Sequence, residues 1–309
     1  MSHARPPDLE ATRRTLKAQT TTTQNPSVTG PRHVDAAAMP ASPRVVPRPF
    51  IKWAGGKTQL LGPLTERIAR LDAFGRYHEP FLGGGALFFA LHRSGQLGRG
   101  AALSDVNPNL VEAWTAVRDD VEGLVTGLSA HRADHGRTHY YAVRAVVPET
   151  PTARAARVVY LNRTCFNGLY RENARGAFNV PMGRYTNPAI LDEANLRACA
   201  TALRDTDLSV SPFSSVLTRA APGDLVYFDP PYVPVSPTAS FTRYARDDFR
   251  EPEQRRLAEV FETLTERGVY CMLSNSWTPL VRSLYARWNL TAVPATRHVN
   301  RRADRRGPV

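Results

Sequence analysis

The residues Asp229-Pro230-Pro231-Tyr232 follow directly on an apolar run, Leu225-Val226-Tyr227-Phe228. A proline has no N–H to give to a ladder, so a strand over 225–229 must stop at the acid. The two prolines stiffen the turn, and their carbonyls point outward, unpaired by the sheet. The Asp229 carboxylate and one such carbonyl make two acceptors for a single amino group, and Tyr232 offers a flat face on which a base can stack. The lone pair of an exocyclic base amine is delocalised into the ring. Acceptors on its two hydrogens return electron density to the nitrogen, which can then attack a sulfonium methyl. These residues stand at the carboxyl end of a strand, where α/β sheets bind their ligands.

Two glycine turns could hold the other reactant. Glu79-Pro80-Phe81-Leu82-Gly83-Gly84-Gly85-Ala86 lies between an expected strand over 77–81 and a helix through Leu87 and Leu91. Such a turn lets a ligand approach the backbone closely. The dinucleotide fingerprint needs a third glycine where Phe88 stands, so a nicotinamide cofactor is disfavoured. Asp105 ends the next expected strand, where a carboxylate can accept both hydroxyls of a ribose. Together the turn and the acid imply a cofactor that contains adenosine, without saying which. The second turn, Phe50-Ile51-Lys52-Trp53-Ala54-Gly55-Gly56-Lys57-Thr58, is not a phosphate-binding P-loop, because Ile51 replaces the glycine that motif requires. What remains is a helix start whose free N–H groups can meet an anion or a carboxylate.

The elements that must position these groups follow from periodicity. Leu60, Leu61, Leu64, Ile68 and Leu71 share a helical stripe. Strands fit 77–81 and 101–106, and Pro108 suits the first turn of the helix after the second. This strand–helix alternation predicts an α/β sheet. Residues 110–188 interrupt it, helical up to Arg163 and then a loop rich in Asn, Gly and Arg through Tyr185. The rhythm then resumes, with strands expected over 208–213, 225–229, 269–274 and 290–296 and helices over 252–267 and 278–288. Residues 1–47, rich in Pro, Thr, Ala and Arg, read as a disordered leader. The domain division is therefore a core over 48–109 and 189–309, with 110–188 inserted.

The net charge of +12 favours a polyanionic partner, nucleic acid first and an anionic membrane second. No run of about 18 apolar residues occurs, the length a spanning helix needs, and the N-terminus has no secretory apolar stretch. Cys165, Cys199 and Cys271 are far apart and form no CxxC pair. This suggests neither a zinc site nor a disulfide framework and fits a reducing, cytoplasmic compartment.

From about residue 49 to 300, roughly four-fifths of its length, the chain resembles the Dam-like (D12 class) DNA adenine methyltransferases. The segments that carry the resemblance are FIKWAGGK, EPFLGGGALFF, LSDVNPNL, YLNRTCFNGLYRENARGAFNVPMGRY, DPPYVPVSPTASFTRY and LSN, in the family's order. The resemblance implies a Rossmann-like S-adenosylmethionine-dependent sheet with an inserted, mainly helical target-recognition domain. It implies that Trp53, Lys57, Asp105 and Asp229 bind S-adenosylmethionine, in a pocket shaped by Pro80, Phe81, Gly83 and Gly85. Asp229, Pro230, Pro231 and Tyr232 then hold an adenine flipped out of duplex DNA, with no metal. Lys52, Phe166, Asn167, Leu169, Arg171, Pro181 and Arg184 correspond to residues that meet the DNA. Phe166 matches an aromatic that fills the space around the flipped base, and Arg171 matches a base-reading arginine. These matches favour a GATC-like target. The loop 233–248, with Phe241 and Tyr244, is expected to order when DNA binds.

The chain departs from the family after Asn300, where the resemblance implies one more sheet strand that this sequence does not supply. Two other readings therefore stand beside the adenine methyltransferase. One is a DNA-binding protein of the same fold without turnover. The other is methylation of RNA or of a protein amide, disfavoured because Asp229 stands where such enzymes carry Asn. The role, alone or beside a restriction endonuclease, is left open, and no obligate protein partner is implied.

Overall fold

The computed structural model describes residues 45–53, 59–234 and 249–294. The leader up to Arg44, Lys57, the loop residues Phe241 and Tyr244, and everything after 294 lie outside the described residues.

The first helix, α1 (Leu61–Ile68), carries the expected apolar stripe and buries Leu64 and Ile68. It is followed by β1 (Tyr77–Glu79), α2 (Ala86–Arg93), β2 (Ala101–Asp105) and α3 (Pro108–Asp119). Pro108 occupies the first turn of α3 as expected, and the Asn107 side chain caps that helix by accepting from the N–H groups of Asn109 and Leu110. Next come α4 (Val121–Ala133), α5 (Arg137–Ala145) and α6 (Pro151–Thr164), then an irregular hairpin, and α7 (Glu193–Leu203). The remaining elements are β3 (Thr206–Val210), the single turn α8 (Val216–Arg219), β4 (Leu225–Phe228), α9 (Glu251–Glu266), β5 (Tyr270–Leu273) and α10 (Pro279–Leu284).

The strands form one parallel sheet in the order β3-β2-β1-β4-β5. This is the doubly wound, Rossmann-like arrangement. The chain winds outward from β1 to β3, returns, and winds the other way through β4 and β5. The order therefore reverses between β1 and β4, the place where such sheets leave a crevice. β4 shows why both faces are covered. Its Leu225 and Tyr227 belong to one apolar cluster, and Val226 and Phe228 to another, as side chains alternate along a strand. The larger cluster takes in α1, α2, α3, α4, α6 and α7, and the smaller one α9 and α10.

Trp114 of α3 is fully buried and joins several elements. Its ring lies 4.9 Å from Phe50 and 5.5 Å from Phe89, and its indole N–H donates to the Gly83 carbonyl at 3.2 Å. Truncating such a side chain costs about 3–5 kcal/mol. α3 packs on β2 and β3 and also on α6, so it connects the sheet to the inserted helices. Within the insert, the buried Arg157 of α6 donates to the carbonyls of Val143 and Arg144 at 2.8 Å each, satisfying the end of α5.

The segment expected as a strand over 290–296 is irregular over its described part, 290–294. Arg67 of α1 hydrogen-bonds Thr291, and Val293 packs on the larger cluster, so side-chain contacts and not a ladder hold it. Among the described residues nothing pairs with the outer edge of β5. β3 begins earlier than expected and stops at Val210, because Pro212 opens a 3-10 turn. α10 ends at Leu284, short of the expected 288.

Candidate active site

Three turns meet at the carboxyl ends of β2, β1 and β4. The first follows β1. Leu82 N–H donates to the Ser104 carbonyl at 3.0 Å, which pins the turn to β2. Gly83 and Gly85 then take positive φ of 46° and 62°. Side chains would also lack room there. A Cβ on Gly83 would come within 2.8 Å of the Trp53 ring, and one on Gly85 within 2.4 Å of Trp114. The glycines therefore let two indole rings press against the backbone.

The second turn begins at Asp105. Its carboxylate accepts from Gly83 N–H at 3.2 Å and from Asn107 N–H at 3.0 Å. Burial pushes this carboxyl above its usual range, and the N–H groups of Asn107, Gly83 and Val106 work in the opposite direction. Each oxygen accepts one of these two bonds, which leaves acceptor capacity for a hydroxyl pair. Trp53, half-buried, lies against Gly83 of the same turn.

The third turn follows β4, next to β1 in the sheet. Asp229 is half-buried, Pro230 buried, Pro231 exposed and Tyr232 half-buried. The Pro231 carbonyl accepts from Gln254 Nε2 of α9 at 3.0 Å. Asn275 in turn donates to Gln254 Oε1 at 2.9 Å and accepts from Val233 N–H at 3.1 Å. The Ser276 hydroxyl holds the Val233 carbonyl. Of the two proline carbonyls, Gln254 thus takes that of Pro231, and no described residue is seen donating to that of Pro230. Beneath the turns lie two buried phenols. Tyr77 donates to Glu79 at 2.9 Å, and Tyr227 shares a 2.9 Å bond with Ser274. Burial raises both phenols well above their usual range, with Glu79 adding to the effect at Tyr77 and Asp229 at Tyr227. Both stay protonated.

Residues 53–299 match the model of the D12 class N6 adenine-specific DNA methyltransferases. The chain belongs to that family. It is 38% identical over 275 residues to the Type II methyltransferase M.MjaIII of Methanocaldococcus jannaschii, covering 84% of this chain and 95% of the relative. It is 36% identical over 270 residues to the Type II methyltransferase M1.LlaDCHI of Lactococcus lactis subsp. cremoris, covering 85% and 93%. The DNA adenine methylase of Escherichia coli K12 is 33% identical over 257 residues, covering 82% and 89%.

In this D12 class methyltransferase the structure brings Trp53, Pro80, Gly83, Gly85 and Asp105 together around the first two turns. Phe81 faces the other way, stacked on Phe213 at 5.5 Å and edge-on to Phe249 at 5.6 Å. It supports the crevice from the side of the smaller cluster.

The hairpin after α6 carries the residues expected to meet DNA. Phe166 N–H donates to the Pro181 carbonyl at 2.9 Å, and Cys165 pairs with Met182. Asn167, at φ 56°, is the only non-glycine in the left-handed region among the described residues, and Gly168 follows at 63°. Two successive residues of this kind make a tight reversal. It leaves Phe166 48% exposed at the open end of the hairpin, which itself reverses between Asn173 and Ala177. Lys52, Asn167, Arg171, Pro181 and Arg184 are exposed as well, whereas Leu169 is half-buried and packs on the core. Lys52 Nζ sits 4.2 Å above the Tyr185 ring. Arg171 Nε donates to Asn179 Oδ1 at 2.7 Å.

Sequence reasoning missed the side chains that hold these groups. Asn162, buried in α6, accepts from Lys52 N–H at 2.7 Å and donates to the carbonyls of Lys52 and Gly168 at 2.6 and 3.2 Å. It joins the segment before Trp53 to the hairpin. A polar residue after the apolar run Val158-Val159-Tyr160-Leu161 was the available signal. Gln254 had a similar one, since it shares a helical face with Leu257, Ala258 and Phe261.

Proposed function

We propose that the protein transfers the methyl group of S-adenosylmethionine to the N6 amine of an adenine flipped out of duplex DNA, with GATC as its target. The observation that carries this reading is the meeting of the glycine turn, Asp105 and the Asp-Pro-Pro-Tyr turn at the sheet's reversal point, between β2, β1 and β4. The residues present fit the cofactor. Asp105 is a half-buried carboxylate with acceptor capacity left for two ribose hydroxyls, and Gly83, having no Cβ, lets the Trp53 ring lie against the turn beside it. S-adenosylmethionine supplies an electrophilic methyl on a sulfonium centre.

The chain's own residues do the rest. Asp229 and the Pro230 carbonyl each accept a hydrogen bond from one amine N–H and keep the nitrogen lone pair out of the ring. Tyr232 stacks on the base and fixes its plane. Catalysis comes from positioning and polarising the amine, with no covalent intermediate. A stacked base cannot reach such a crevice, so the adenine leaves the duplex, and Phe166, exposed at the open end of the hairpin, fills the gap. Lys52 and Arg171 read guanines beside it. Arg184 and Pro181 meet the target or the DNA backbone beside it. Lys57, outside the described residues, completes the cofactor site by resemblance. The division into a core over 48–109 and 189–309 and a recognition insert over 110–188 belongs to the same reading.

The test is tritium transfer from labelled S-adenosylmethionine to duplexes containing GATC or GTTC. Label on GATC alone, reduced about 10²–10³-fold or more by Asp229→Ala, is the expected result. A folded protein that binds the duplex and transfers no label would be an inactive DNA-binding relative. Label on RNA would overturn the substrate assignment.

A further inference from the structure

Tyr170 lies in the recognition hairpin, yet it is almost wholly buried at 6% exposure and points away from the exposed Arg171 that follows it. Two independent contacts tie it to the candidate cofactor site. Its ring packs against Trp53, with centroids 5.4 Å apart and planes inclined by 32°. Its hydroxyl donates to Glu172 at 2.5 Å and accepts from Asn109 Nδ2 at 2.9 Å. Asn109 also donates to Glu172 at 3.1 Å. Asn109 stands in the first turn of α3, and its own N–H bonds the Asn107 side chain. The Asn107 N–H bonds Asp105. Trp53 and Asp105, which both meet Gly83, thus both lead to Tyr170, one through its ring and the other through its hydroxyl.

We propose that Tyr170 is a positioning residue that couples cofactor binding to DNA reading: a ligand that fixes Trp53 and Asp105 fixes Tyr170, and with it the backbone that carries Arg171. The inference rests on the functional reading above and goes beyond it, because Tyr170 and Asn109 touch neither ligand in that reading. The coupling acts through loss of motion. Ordering the hairpin once, when the first ligand binds, removes that cost from the second. Linkage requires the effect to be reciprocal, so DNA must tighten the cofactor by the factor by which the cofactor tightens DNA.

The experiment uses the full chain, S-adenosylhomocysteine as an unreactive probe and a fluorescent GATC duplex. Duplex affinity is measured with and without the probe, and probe affinity with and without the duplex. In the unsubstituted protein each ligand tightens the other by about fivefold or more. Tyr170→Phe keeps the ring on Trp53 and loses the hydroxyl bonds, and Asn109→Ala breaks the same link from the side of α3. Each brings the coupling factor to less than half its original value, and the double variant loses no more than either alone. A structural role would shift individual affinities or melting temperature and leave this ratio unchanged. Full coupling in both variants, or none in the unsubstituted protein, overturns the inference while the methyltransferase reading stands. A folded protein that binds neither probe nor duplex overturns both.

Discussion

β4 has an aspartate on either side of it, five positions apart, in opposite surroundings. Asp224, before the strand, accepts from Arg76 N–H at 2.7 Å, Ala221 N–H at 2.9 Å and His78 Nε2 at 3.0 Å. Gly75 makes room for it, since a Cβ there would lie 2.3 Å from its carboxylate. Asp229, after the strand, belongs to a turn in which two prolines remove N–H groups and Gln254 holds a carbonyl from behind. One acid closes a network of N–H groups at the amino end of the sheet, and the other stands half-buried in the turn that carries the candidate site at the carboxyl end. The difference comes from strand direction. Asp224 faces the loops that enter β1 and β4, whereas Asp229 faces the turns that leave the strands, where α/β sheets bind their ligands.

The largest stability effect separates the two acids. Asp224→Ala removes the acceptor of two partly buried backbone N–H groups, those of Arg76 and Ala221, and of the buried His78 imidazole, at a cost of about 2–4 kcal/mol. Asp229→Ala destabilises less than Asp224→Ala while lowering activity about 10²–10³-fold. Urea unfolding of both variants beside the unsubstituted protein measures this. Equal destabilisation by the two substitutions would break the comparison.

A smaller effect concerns how the open end is held. Gln254→Leu keeps the volume on the apolar face of α9 but frees the Pro231 carbonyl and removes a partner of Asn275. The expected stability loss is about 1–2 kcal/mol. The turnover rate should fall about tenfold, with the cofactor KM nearly unchanged, because Gln254 supports the third turn alone. Steady-state kinetics at saturating duplex gives the split. A rise in cofactor KM as large as the fall in kcat would show that the turns at β1 and β4 are not held separately.

The parts of the site that were legible in the sequence are those whose meaning is local. Asp229-Pro230-Pro231 terminates its own strand, Gly83 and Gly85 need φ values that other residues resist, and Asn107-Pro108 starts its own helix. Asn162, Gln254 and Tyr170 were not found, because their partners are distant in the chain, 110 positions away for Asn162 and Lys52 and 61 for Tyr170 and Asn109. The segment 290–294 has a strand-like apolar pattern, but Thr291 and Val293 are satisfied by α1 and the core, which a pattern along the chain cannot reveal.

The smallest effect is the pH dependence of the closed end. Burial lowers the His78 imidazole below its usual 6.5 even though Asp224 pulls the other way. At Asp224 burial opposes the charge, but the N–H groups of Ala221 and Arg76 together with His78 outweigh it, and the carboxyl lies below its ordinary range. Both groups therefore hold protons more weakly in the fold than in the unfolded chain, so the unfolded chain takes up protons first on acidification. Stability is complete above about pH 6.5, falls as pH drops through that value toward the folded pKa of His78, and falls again below the carboxylate range of about 3.9 as Asp224 is protonated. Each full unit of depression corresponds to about 1.4 kcal/mol. Burial lowers His92 and His131 too, so His78 accounts for only a share of the upper step. His78→Asn keeps a donor for Asp224 and removes the titration. The melting temperature of this variant should fall less between about pH 8 and pH 5 than that of the unsubstituted protein. An identical fall in both would mean that His78 is as easily protonated in the fold as outside it, and that the amino end of the sheet is as open to water as the carboxyl end.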